Sequence, residues 1–153
     1  MKFSTIALTG AAAVAGGTMI GVAPILSDRL VGPPAYAAAI TQCRVTDGDT
    51  IRCGDERIRL LGIDAPELPG HCHGKRVCAP GDAYASTSSL EAAMSDDLHI
   101  ERVGEDRYGR TLGLVTGPRG DLSCWQLAQK QAIYKPRWDN GYRVSHLCPS
   151  AAL

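Results

Sequence analysis

Two cysteines placed symmetrically about an Asp-Gly pair constrain this chain more than any other feature. Cys43 and Cys53 each stand five residues from Gly48, and Asp47-Gly48 is a strong hairpin signal. A hairpin that turns there sets the two cysteines opposite one another on antiparallel strands. Residues 50–53 and 57–63 interleave Ile and Leu with Arg and Thr, and Gly54-Asp55 supplies a second turn between them. The stretch 46–67 therefore reads as two or three short strands that gather Asp49, Asp64 and Glu67 near Arg59. Carboxylates beside a guanidinium suit a divalent-metal phosphodiesterase. The oxygens are hard ligands for the ion, and the arginine holds the remaining phosphate charge.

All six cysteines fall after residue 37. Ahead of them lies a segment with the features of an export signal. Lys2 is its only charge before Asp28, an apolar run rich in Ala and Gly spans residues 6–26, and Ala35-Tyr36-Ala37 is a small-x-small cleavage site. The sequence thus divides into a signal, 1–37, and one domain, 38–153. Cleavage would make the protein secreted or periplasmic, whereas a retained segment would anchor it to a membrane. An even cysteine count behind such a signal predicts three disulfides. Cys43 would pair with Cys53 across the hairpin, and Cys72 with Cys78 around a small loop. Cys124 and Cys148 remain, and would tie a helix to the C-terminal tail.

The 16 basic and 16 acidic residues balance. Loss of Lys2, Arg29 and Asp28 with the signal would leave a formal charge of −1. That excludes a protein which grips long nucleic acid through many phosphates over its whole surface. Phosphate binding, if present, must be local.

In chain order, strands are expected up to residue 46, then at 50–53, 57–63, 98–103 and 111–116. Asp82 caps a helix over 83–94, with Ala83, Thr87, Leu90, Ala93 and Met94 at helical spacing. Asp121 caps a second over 122–131, with Leu122, Trp125 and Ala128 on one face. Residues 66–81 form a Pro-, Gly-, His- and Cys-rich loop, and the stretch beyond Lys135-Pro136 is polar and poorly patterned. The class is α+β, mainly β. Five strands with the first helix between the third and fourth is the order of a five-stranded Greek-key barrel, here with two packed helices and disulfide staples.

Of three other readings of the motifs, two fail on chemistry and the third, zinc, is the less favoured. An EF-hand at Asp47 fails because Ile51 and Arg52 stand where a ligand and a glycine are required. A phosphate loop at Gly104 to Thr111 lacks the lysine, carries Glu105 and Asp106, and leads into a strand instead of a helix. His71-Cys72-His73 with Cys78 has no usual zinc spacing, and a disulfide suits those cysteines better.

Three blocks, Asp47-Gly48-Asp49-Thr50, residues 59–67 (Arg-Leu-Leu-Gly-Ile-Asp-Ala-Pro-Glu) and Asp106-Arg107-Tyr108-Gly109-Arg110, together resemble the signatures of the staphylococcal nuclease (thermonuclease) family. The resemblance covers about residues 41–136. It implies an OB-fold barrel and Ca²⁺-dependent hydrolysis of DNA and RNA phosphodiesters, with single-stranded or frayed nucleic acid as substrate and a monomer without a protein partner. Asp49, Asp64 and the backbone carbonyl of Ala65 would hold Ca²⁺, with Asp47 and Thr50 supporting them. Glu67 would orient or deprotonate the attacking water, while Arg59 and Arg110 would stabilise charge on the phosphorus. Arg107, Tyr108 and Tyr134 would surround the nucleotide, and Lys135-Pro136 resembles a segment whose peptide bond can be cis. The chain departs from the family in its neutral charge, in Ala132 where a tyrosine can stand, and in its short C-terminus. Two alternatives stay open: the same apparatus acting on another exported phosphodiester, and a non-catalytic OB-fold binding module.

Overall fold

Alternation decides which way each strand of the central hairpin faces. Ile51 and Ile58 sit opposite one another and are wholly buried, whereas the next pair along, Arg52 and Arg57, faces outward. The computed structural model describes residues 37–72 and 77–152, so the expected export signal lies outside the described residues. No helix among the described residues is long and apolar enough to cross a membrane.

The strands are β1 (Ala38–Ile40), β2 (Cys43–Asp47), β3 (Thr50–Cys53), β4 (Glu56–Leu60), β5 (Ile63–Asp64), β6 (Leu98–Glu105), β7 (Thr111–Gly117), β8 (Gly120–Asp121) and β9 (Ile133–Tyr134). The helices are α1 (Ala83–Ala93), α2 (Leu122–Ala128) and α3 (Arg143–Leu147), with a 3₁₀ turn at Pro136–Trp138. The main sheet runs β1-β6-β7-β4-β3-β2, with β8 added to β7. All its pairings are antiparallel except β4 with β7, where Ile58 lies opposite Thr111.

The first expected strand is broken in two. Gln42 takes a left-handed φ of 55° between β1 and β2, and the two pieces pair at opposite ends of the sheet order. Because only Thr41 and Gln42 separate them, the ends of the sheet are drawn together and the sheet curls. The architecture is mixed α+β, mainly strand, and OB-fold-like.

Ile40, Ile51, Ile58, Leu60, Ile100 and Val115 fill the inside of the curl, and Leu90 of α1 and Leu122 of α2 join the same core. Asp82 caps α1 by accepting from the backbone N–H groups of Tyr84 and Ala85. Asp121 caps α2 by accepting from Cys124 N–H at 3.0 Å. Helix α2 stops earlier than expected, because Lys130 takes a left-handed φ of 57° just past it. Its buried face is Leu122, Ser123, Gln126 and Leu127; of the other two residues expected to share a face with Leu122, Trp125 is half-buried and Ala128 exposed.

The C-terminal stretch is also more ordered than its pattern suggests. Buried Asp139 accepts from the N–H groups of Val144 and Ser145 at the start of α3, and from the Tyr134 hydroxyl at 2.6 Å. No peptide bond among the described residues is cis, so Lys135-Pro136 is trans. The disulfides are Cys43–Cys53, Cys72–Cys78 and Cys124–Cys148. The first joins directly paired strand positions, and the third fastens α2 to the residue after α3. Oxidation of Cys72 and Cys78 leaves no thiolates there for zinc.

Candidate active site

Arg59 lies on the outer side of β4, yet it is buried because the β2–β3 turn and β5 flank it. Its Nη1 donates to Asp49 Oδ1. Its Nη2 lies 3.3 Å from both Asp64 Oδ1 and the Ile63 carbonyl. Asp49, 2% exposed, and Asp64, 1% exposed, thus share one guanidinium.

Asp49 is fixed from several sides. Its Oδ2 accepts from Ala65 N–H at 2.8 Å and its Oδ1 from the Thr50 hydroxyl at 3.1 Å, while its own N–H donates to Asp47 Oδ1 at 3.2 Å. Burial pushes the Asp49 carboxyl up to about 7, against the pull of Arg59, and Asp47 adds to the rise.

The turn that carries Asp49 is set by close packing. A Cβ on Gly48 would stand 2.0 Å from Ser86 Oγ and 2.8 Å from Ala65 Cβ. Gly48 takes no positive φ, so what demands glycine here is the approach of α1. Buried Gln126 of α2 completes the arrangement, donating from Nε2 to the carbonyls of Gly48 at 2.7 Å and Ser86 at 2.9 Å.

Lys135 and Trp138 also bear on the site, although no motif assigns either a role in it. Pairing of β9 with β5 puts Tyr134 opposite Ile63, and Lys135 N–H donates to the Gly62 carbonyl at 2.8 Å. Lys135 Nζ then lies 3.7 Å from Asp64 Oδ2. Arg59 and Lys135 both approach the Trp138 ring, at 5.6 and 5.8 Å from its centroid. A long-range strand pair creates this cluster, and no local pattern announces it.

Arg110 belongs to a separate knot. Its Nε donates to Asp106 Oδ2 at 2.8 Å, and its backbone N–H to Asp106 Oδ1 at 3.0 Å. Burial opposes ionisation of Asp106, but the hydrogen bonds from Arg110 and the Tyr108 N–H outweigh it and hold the carboxyl below its usual range. Tyr108 is 58% exposed. Arg107 and Arg110 stack on its ring at 4.8 and 5.6 Å.

Arg57 Nη2 donates to the Tyr108 carbonyl at 2.6 Å, and so ties this loop to β4. Glu67 is half-buried on the loop after β5. Among the described residues no three Asp, Glu, His or Cys side chains converge closely enough to hold a metal ion. Of the expected cluster, the structure brings together Asp49, Asp64 and Arg59; Tyr134 spends its hydroxyl on Asp139.

No family model matches the chain. The succinoglycan biosynthesis protein ExoI of Rhizobium meliloti (strain 1021) is 32% identical over 129 residues, which cover 81% of this chain and 68% of that protein. The thermonuclease of Staphylococcus intermedius is 35% identical over 47% of this chain and 45% of its own length. The micrococcal nuclease of Shigella flexneri is 34% identical over 58% of this chain and 49% of its own. The chain thus spans about half the length of each nuclease. By these matches it is distantly homologous to the thermonucleases, and it belongs to the family of the succinoglycan biosynthesis protein ExoI.

Proposed function

We propose that this chain is an exported, Ca²⁺-dependent phosphodiesterase that cuts single-stranded or frayed DNA and RNA with little sequence preference. The observation that carries the reading is the buried Asp49–Arg59–Asp64 arrangement. Two desolvated carboxylates sharing one arginine are costly unless cations stay close. In kind they fit a hard divalent ion. Asp49, Asp64 and the Ala65 carbonyl would hold Ca²⁺, with water and substrate oxygens completing its usual six to eight ligands. A bound ion would supply Lewis-acid polarisation of the phosphate.

The chain's own residues would do the rest. Arg59 would donate to a non-bridging phosphate oxygen from one side, and Arg110, exchanging Asp106 for the substrate, from the other. Glu67 would orient a water and take its proton as the oxygen bonds to phosphorus and the ester oxygen departs. Arg107 and Tyr108 offer an exposed cation and ring to the adjoining nucleotide. Three disulfides support an oxidising destination.

Hydrolysis of single-stranded DNA by the oxidised chain, with Ca²⁺ or with chelator and alongside Glu67→Gln, tests the reading. Turnover that requires Ca²⁺ and falls on the order of 10²–10⁴-fold in the variant supports it. A folded protein that turns over no DNA or RNA with any divalent ion refutes it. A second reading, a phosphodiester of polysaccharide metabolism, is favoured by the name of the relative covering most of this chain. Faster cleavage of small diesters than of nucleic acid would select it.

A further inference from the structure

Strand register lines up three arginines on the outer face of the sheet. Arg44 of β2 lies opposite Arg52 of β3, which lies opposite Arg57 of β4. Arg44 and Arg57 are exposed, and Arg52 is half-buried. Among the described residues none of the three forms an ion pair; Arg52 donates to the Asp55 carbonyl and Arg57 to the Tyr108 carbonyl. Like charges directly opposite one another on adjacent strands are destabilising. A near-neutral chain has no need to concentrate them on one face. An anion lying across the row would relieve that repulsion.

The row is also aimed. Adjacent strands lie about 4.8 Å apart, so it extends roughly 10 Å from Arg44 to Arg57. The parallel pairing of Ile58 with Thr111 brings the 106–110 loop to the Arg57 end of the row, where Arg110 is held by Asp106. Two residues along β4 from Arg57, on the same outer face, stands Arg59 at the carboxylate pair. Exposed rings flank that end, Tyr108 beside Arg110 and Trp138, 41% exposed, beside Arg59.

We propose that Arg44, Arg52 and Arg57 form a track for the sugar–phosphate backbone of single-stranded nucleic acid, delivering it to the Arg59 site. A basic row ending at aromatic platforms is how proteins hold single strands without reading sequence. Double-stranded DNA is a poorer fit, because its bases are not free to stack on Tyr108 and Trp138. The proposal rests on the nuclease reading for its choice of polyanion, and deepens it by explaining how a chain without net positive charge captures a polymer.

The test is a binding one, so it is independent of turnover. Fluorescence anisotropy without divalent ions compares oligothymidylates of two and eight nucleotides over a salt series, with the full chain and with Arg44→Gln/Arg52→Gln. Each single-strand phosphate contact contributes about −0.7 to the slope of log affinity against log salt. The unmodified chain should show a steeper slope for the longer oligomer, and the double variant should flatten it by about 1.4 and lose most of the preference for length. Equal slopes for the two lengths, or a length preference that survives the substitutions, would overturn the track. So would tighter binding of a polyuronate than of the eight-nucleotide oligomer, since the row would then serve an acidic polysaccharide. Length-dependent binding by a chain that hydrolyses nothing would leave the track standing and remove the nuclease.

Discussion

The close approach at Gly48 yields the sharpest prediction, because two accounts of that glycine disagree. As a turn residue with no positive φ, it should accept alanine at little cost. As a contact point it should not, since the new methyl would stand 2.0 Å from Ser86 Oγ and 2.8 Å from both Ser86 Cβ and Ala65 Cβ. Overpacking of this kind costs about 1–3 kcal/mol. For a domain of this size that lowers Tm by roughly 4 °C per kcal/mol. Ser86→Gly alone should cost about 2 kcal/mol, from a glycine inside α1 and a lost hydrogen bond to the Gln131 carbonyl. Together the two substitutions should cost less than their sum by about 1–3 kcal/mol, with full rescue prevented by Ala65. Thermal unfolding of all four proteins measures the coupling. Additive losses, or a Gly48→Ala protein as stable as its parent, would refute the packing account.

Three further outcomes are expected. Burial pushes Asp121 up to about 6 from 3.8, so its contribution to stability is present below about pH 3.8 and is lost as pH rises through 6. Asp121→Asn keeps a good cap without the charge, and its stability relative to the parent should improve from pH 4 to pH 7 by up to about 3 kcal/mol, read by thermal unfolding at both pH values. Arg59→Gln removes the guanidinium that Asp49 and Asp64 share and should cost about 3–5 kcal/mol in urea unfolding. Replacing Cys124 and Cys148 together by alanine should lower stability by about 2–4 kcal/mol, measured by denaturant titration under oxidising conditions.

What could be read in advance was what local pattern encodes. The hairpin at Gly48, its Cys43–Cys53 bridge and both aspartate caps depend on residues within about ten positions of one another, and all are present. The meeting of Asp49, Arg59 and Asp64 follows from two adjacent turns and was legible for the same reason. Lys135 and Trp138 were not, because they reach the site through the pairing of β5 with β9, some 70 positions apart. Helix α3 was hidden as well. Its cap comes from Asp139 across Asn140 and Tyr142, both with positive φ, so the usual spacing between cap and helix is absent. Arg44, Arg52 and Arg57 fall in a row through the register of three strands, which no single motif marks.

The sharing of Arg59 has a thermodynamic consequence for whatever the site binds. In the resting fold the guanidinium serves as counter-ion to two carboxylates. An anion that draws Arg59 towards itself loosens its hold on Asp49 and Asp64 and raises their affinity for a cation. Linkage makes the effect reciprocal, so a cation that takes over the carboxylates frees the arginine for the anion by the same factor. Calorimetric titration of inorganic phosphate with and without Ca²⁺ would read that factor directly, and equal affinities would show the two events to be independent. With neither ligand present, the site's opposite charges satisfy one another, and the arginine and carboxylates become available together.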